Sequence, residues 1–163
     1  MIKFVSVSIL ILLFCMPSFV TAQKGNYGIP KYDLSLVGTG VEGSCLTTVS
    51  IYIPKATKID EALKRAAVYG VIFKGINNEK GTDFHPPLAN NPNIEQEKAK
   101  FFNEFFKAGG IYLQYTTIVD GSLLVTKIGK KEYRITAVVS IQKDLLRKYL
   151  EQEKVIIGFS DIF

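Results

Sequence analysis

Glu132-Tyr133-Arg134-Ile135-Thr136-Ala137-Val138-Val139-Ser140-Ile141 puts Tyr133, Ile135, Ala137, Val139 and Ile141 on one side of an extended chain, and Arg134, Thr136 and Ser140 on the other. A period of two with one apolar and one largely polar face marks a strand of an antiparallel sheet that covers a core on one side. Working back from it, Gly129-Lys130-Lys131 is a tight turn, and Leu123 to Ile128 is a second strand pattern. Asp120-Gly121 is a hairpin signal, and Ile111 to Val119 reads as a third strand. These three stretches predict an antiparallel meander.

Further upstream, Leu46-Thr47-Thr48-Val49-Ser50-Ile51-Tyr52-Ile53 is β-branched on the same period, and Leu34, Leu36 and Val41 begin the alternation. Gly38, Gly40 and Gly43 lie between, which fits either two strands joined by a Gly-rich bend or one long bulged pair. Pro54 ends the run. Thr57 then stands as a helix cap with Asp60 and Glu61 in the first turn, and a helix is expected from Lys58 to about Lys74. Its apolar stripe is Ile59, Ala62, Leu63, Ala66, Tyr69, Gly70 and Phe73, whose small members suit close packing on a sheet.

Gly75 to Pro92 is a loop of about 18 residues, rich in Asn, Gly, Asp and Pro, and loops of that length are often contact surfaces. Asn93 is placed to cap a second helix from Ile94 to about Lys107, whose apolar content is Phe101, Phe102, Phe105 and Phe106. Four rings on two sides of one helix can fill a core and still leave anchors outside. After the meander, Asp144 starts a short helix through Leu150, with Leu145, Leu146, Tyr149 and Leu150 on its apolar side. Val155-Ile156-Ile157 fits either an edge strand or a docked tail. The fold class expected is α+β: an antiparallel sheet of about four to five strands, two main helices packed on one face and a short C-terminal helix.

Met1-Ile2-Lys3 followed by uncharged residues from Phe4 to Ala22 has the form of a secretory signal peptide, with Pro17 after the apolar stretch and Val20-Thr21-Ala22 before Gln23. An uncleaved anchor is the alternative, which Pro17 and the small-residue exit disfavour. Cys15 follows Phe14, whereas a lipidated Cys needs a small residue before it, so lipidation is not expected. Removing 22 of the 163 residues leaves 141, with 23–31 as a flexible leader and 32–163 as a single domain. Cys45 is then the one remaining thiol, so stability must come from a packed core, and Cys45 itself reads as a small buried residue of a strand.

The net charge of +5 falls to +4 without Lys3, and along the chain the signs alternate rather than form a basic stripe. That pattern and an exported location point away from nucleic acid. No integral membrane span is expected once the signal is cleaved. The composition, 47% apolar and 21% charged, excludes disordered and collagen-like classes.

No paired-carboxylate motif, Gly-x-Ser-x-Gly elbow or complete phosphate loop is present. Asp83 and His85 in the long loop could supply two metal ligands, or with Cys45 a catalytic group. His85 is the only histidine, so neither metal, cofactor nor catalysis is expected. The binding residues expected are Phe102, Phe106, His85, Tyr112 and Tyr115.

Val37-Gly38-Thr39-Gly40, the Ala62-Ala66-Gly70 helix, and Ile135 to Ile141 running into Leu145-Leu146-Arg147-Lys148-Tyr149 follow one another in an order that resembles a family of small bacterial envelope domains. These occur in outer-membrane lipoproteins and at the start of a flagellar-assembly protein of the periplasm. The resemblance spans roughly Tyr32 to Leu150 and implies an α+β domain that works by protein contact without catalysis. The strand-like Leu46 to Ile53 before the first helix and the missing lipidated Cys depart from that pattern. The expected function is therefore a secreted or periplasmic, non-enzymatic adaptor or assembly domain with an envelope protein as partner. The alternative is a small-ligand-binding domain with an apolar pocket between the Phe-rich helix and the sheet.

Overall fold

The computed structural model describes residues 27–41, 43–55 and 57–158. The expected signal peptide, its cleavage point and Cys15 lie outside these residues.

β2 (Cys45–Ile53) is the strand on which the sheet is assembled, because its alternating β-branched residues bury Cys45, Thr47, Val49, Ile51 and Ile53 and leave the other face half-exposed. β1 (Lys31–Thr39) pairs with it antiparallel on one side, with a bulge at Leu36–Gly38, so the two strands are both bulged and joined through the Gly-rich segment that holds Gly40 and Gly43. On its other side lies β7 (Glu132–Ile141), antiparallel from Cys45 opposite Ile141 to Ile53 opposite Tyr133. The buried Thr47 hydroxyl donates to the Val139 carbonyl at 3.2 Å, which satisfies a polar group in the core.

The far edge of the sheet differs from the expected meander. β5 (Thr116–Ile118) and β6 (Leu124–Gly129) both pair antiparallel with β7 and not with each other. They form one interrupted strand, with Thr116 opposite Ile141 and Leu124 opposite Thr136. Asp120-Gly121 turns the chain out of the edge and back rather than reversing it. Ser122 closes the gap: its hydroxyl accepts the Val138 N–H at 3.0 Å and donates to the Val119 carbonyl at 2.6 Å, replacing a missing main-chain partner. Ile111–Tyr115 is a 3-10 helix, not a strand, and buries Tyr112.

α1 (Ile59–Phe73) lies against β2 and β7, burying Leu63, Ala66, Ala67, Gly70, Val71 and Ile72 among others. At Gly70 the helix comes close to β1, where a Cβ would push the end of the Leu34 side chain aside. The expected Thr57 cap is not used: Lys58 holds the N-cap position in a left-handed conformation (φ 54°) with no side-chain cap bond. The long loop is structured, contrary to its composition. It holds β3 (Ile76–Asn77) and β4 (Phe84–His85), an antiparallel pair. Beyond them, the N–H groups of Leu88 and Ala89 donate to the Val71 and Ile72 carbonyls at 3.1 and 3.0 Å. These are carbonyls of the last helical turn, which no residue of the helix itself can satisfy.

The second expected helix is broken into α2 (Ile94–Glu97) and α3 (Ala99–Phe105), with Lys98 at φ −110° and ψ 28° between them. Asn93 precedes it without a side-chain cap bond. α4 (Lys143–Gln152) buries Leu146 and Leu150 but leaves Leu145 52% exposed, so Leu145 leaves the apolar side assigned to it. After α4, Val155 is buried and its N–H bonds the Leu150 carbonyl, which makes the segment a docked tail. Packing begins before Tyr32: Tyr27 is buried against Phe106, and its carbonyl accepts from Arg65 at 3.0 Å. The fold is α+β, a five-stranded antiparallel sheet with a second small sheet and four α-helices among the described residues. No helix among the described residues is long and apolar enough to cross a membrane.

Candidate functional site

The residues first expected to bind are dispersed. Phe102, Phe106 and Tyr112 are no more than 1% exposed, so they are core and not anchors left outside. Phe102 and Phe105 of α3, with Phe106 just after it, contact Tyr69 and Phe73 of α1, Tyr112 of the 3-10 helix and Tyr149 of α4. Tyr115 packs half-buried on Tyr149, with ring centroids 5.7 Å apart. His85 sits in β4 with its Nε2 3.6 Å from the Asp83 carboxylate. The phenylalanine ring that does stand out, among the described residues, is Phe84, at 54% exposure. Cys45 is buried in β2, and burial pushes its thiol pKa up, the reverse of what a nucleophilic thiolate needs. Among the described residues no three His, Cys, Asp or Glu side chains gather as a metal site would require.

Tyr27, Tyr32 and Tyr69 gather around Glu95, to which the Tyr69 hydroxyl donates at 3.2 Å. Burial, and then the Glu95 charge, push the pKa of Tyr27 and Tyr32 up to about 12 and raise that of Tyr69 as well. Above the ordinary tyrosine value of 10.0 the unfolded chain loses these protons while the folded chain keeps them. Their contribution to stability is therefore complete below pH 10 and is lost as pH rises from 10 through about 12. An alkaline titration followed by phenolate absorbance and circular dichroism is expected to show these three ionising with unfolding. Their ionisation before any loss of helix signal would contradict the burial.

A concave surface lies elsewhere, at the end of the sheet where β1 turns into β2. Gly40, Val41, Gly43, Ser44, Leu46, Val119, Ser140 and the start of α4 (Asp144, Leu145, Lys148) border an open groove of about 800 Å³. The Gly-rich segment forms its wall. Gly43 has φ +77°, and its carbonyl accepts the Asp144 N–H at 3.0 Å, tying the turn to the first turn of α4. A side chain at Gly43 would also press on the Asp144 carboxylate. The turn thereby holds Val41, 86% exposed, at the same rim as Leu145 and Val119, 52% and 39% exposed. Apolar side chains bordered by Ser44, Ser140, Gln142 and Lys148 make a surface for a partly apolar partner with a few polar contacts. Sequence reasoning missed it because its residues come from three separate stretches, 40–46, 119 and 140–148. The one local signal was Val41, an apolar residue isolated among glycines.

No family model, curated protein or solved structure matches the chain. The chemistry of the groove is thus the guide to function.

Proposed function

We propose that this chain is an exported, non-catalytic domain of the bacterial cell envelope that binds another protein through the groove between Val41, Gly43 and Ser44 on one side and α4 on the other. The observation that carries this reading is the exposure of Val41 and Leu145 on one concave rim, where each would contribute about 1–2 kcal/mol on being covered. The leader-like first 22 residues, and an order of sequence stretches that resembles small envelope domains, support the location. A small molecule between the Phe-rich helix and the sheet would need volume that Phe102, Phe106 and Tyr112 occupy, so the protein-contact reading is preferred.

The test is capture from envelope extract by the wild-type chain, by Val41→Asp/Leu145→Asp, and by Phe84→Ser as a surface control. The groove variant is expected to stay within about 0.5 kcal/mol of wild type in urea melts, since Val41 and Leu145 are exposed, and Phe84→Ser, whose ring also packs on Gly75, within about 1–1.5 kcal/mol. The same protein should be retained by wild type and Phe84→Ser and lost by the groove variant. Equal capture by all three, or a small molecule retained in native mass spectra and displaced by the groove substitutions, would overturn the reading.

A further inference from the structure

We propose that β6 and the basic turn after it receive an extended acidic segment of a protein partner, added to the sheet as a further strand. This surface lies at the end of β7 opposite the groove and does not depend on it. β6 is bonded along one side to β7, and no strand among the described residues pairs with its other side. A strand edge of this kind displays main-chain donors and acceptors to any incoming chain. Leu124, Val125 and Ile128 are 58%, 47% and 46% exposed, and consecutive residues point to opposite faces. Both faces of the edge therefore offer apolar contact.

Charge identifies the occupant. Lys127, Lys130, Lys131 and Arg134 are exposed along the hairpin, with Glu132 as its one carboxylate. The sheet register adds to them, since Tyr52 lies opposite Lys31 on one side and Arg134 on the other. Lys31 Nζ is 5.3 Å from the Tyr52 ring centre. Lys55 follows Pro54, which borders the same small cleft as Lys130 and Lys131. Asp33, the second carboxylate here, accepts a hydrogen bond from the Tyr52 hydroxyl at 2.7 Å. Charges of alternating sign along the chain thus become six cations against two carboxylates at one end of the sheet.

A second copy pairing through β6 would bring two such basic sets together, and like charges across a pair are unfavourable. A lipid surface or a phosphate chain would meet the cations but leave the main-chain donors and acceptors of the strand edge unpaired. An acidic strand with alternating apolar residues answers the main-chain edge, sets its apolar side chains beside one apolar face and brings its carboxylates to the cations.

The test is a titration of the isotope-labelled chain, followed by amide NMR and hydrogen exchange. The probes are a synthetic peptide of about eight residues alternating valine with glutamate, and its lysine counterpart. With the glutamate peptide, shifts and slowed exchange are expected at Leu124 to Gly129, with affinity falling about tenfold or more between roughly 50 and 300 mM salt. Lys127→Glu/Lys130→Glu/Lys131→Glu should switch preference to the lysine peptide, a gain that misfolding cannot mimic. Val41→Asp/Leu145→Asp should leave peptide binding unchanged, which separates this surface from the groove. The proposal is overturned by equal response to both peptides, by shifts centred away from β6, or by no binding. Phosphatidylglycerol vesicles or DNA engaging the basic end while the glutamate peptide does not would also overturn it, as would a dimer with protected β6 amides in the absence of peptide.

Discussion

Phe102→Ala is expected to lower the unfolding free energy by about 3–5 kcal/mol in urea melts at neutral pH. Phe102 is 0% exposed, and its ring meets Phe73 of α1 at 4.8 Å and Phe101 at 5.2 Å, both edge-on. Phe106 lies 6.2 Å away in a stacked arrangement and continues the cluster to Tyr27, Tyr69 and Tyr112. Truncation removes the transfer energy of the ring and leaves a cavity that these neighbours cannot fill without leaving their own rotamers. α2 and α3 are short, so little helical propensity holds Phe102 in place once the ring is gone. Phe102→Leu, which keeps most of the volume, should recover about half of the loss. A loss under about 1 kcal/mol for the alanine variant would show that the ring is not in the core.

Gly75→Ala is expected to cost about 2–4 kcal/mol, through two independent effects. Gly75 follows α1 with φ +73°, a left-handed conformation that an L-residue adopts at a cost. Its N–H donates to the Gly70 carbonyl at 2.9 Å, closing the helix end. A Cβ there would lie 2.6 Å from the His85 carbonyl oxygen and 2.8 Å from the Phe84 ring. Backbone cannot yield as a flexible side chain can, so β4 must move away from β3. The loss should therefore appear in both a urea melt and the amide exchange of Ile76 to His85. Gly81→Ala is the comparison, since Gly81 also has positive φ but nothing within 4 Å of its Cβ position. It should cost only the conformational term, about 1 kcal/mol. Equal losses at the two positions would mean that the β3–β4 contact contributes nothing.

The strands and helices that were legible in the sequence are those whose pattern is complete within one stretch. β2 and β7 alternate over their whole length, α1 carries a stripe with acidic residues at its start, and Gly129 to Lys131 forms the tight turn between β6 and β7. Asp120-Gly121 misled because a turn dipeptide is compatible with a hairpin and with an excursion from one strand. The free side of β7, which accepts both β5 and β6, and the Ser122 hydroxyl decide between them. The long loop misled because its polar composition conceals that Leu88 and Ala89 complete the hydrogen bonding of α1.

The candidate sites were less legible. Four phenylalanines on two sides of a short helix leave open which rings are covered, and Tyr27, Tyr149 and the 3-10 helix provide the cover from distant parts of the chain. Leu145 belongs to an apolar stripe in sequence and to a groove rim in space.

By itself the sequence determined the α+β class, the periods of β2 and β7 and the turn at Gly129 to Lys131, because backbone conformation and one-sided burial are written into neighbouring residues. The tertiary structure alone decided that Phe102, Phe106 and Tyr112 are core, that Val41 and Leu145 share a rim, and that Lys31, Lys55 and Lys130 gather at one end of the sheet. Burial and electrostatic potential are sums over neighbours in space, and strand pairing between β1, β2 and β7 brings together residues that no local window of sequence contains.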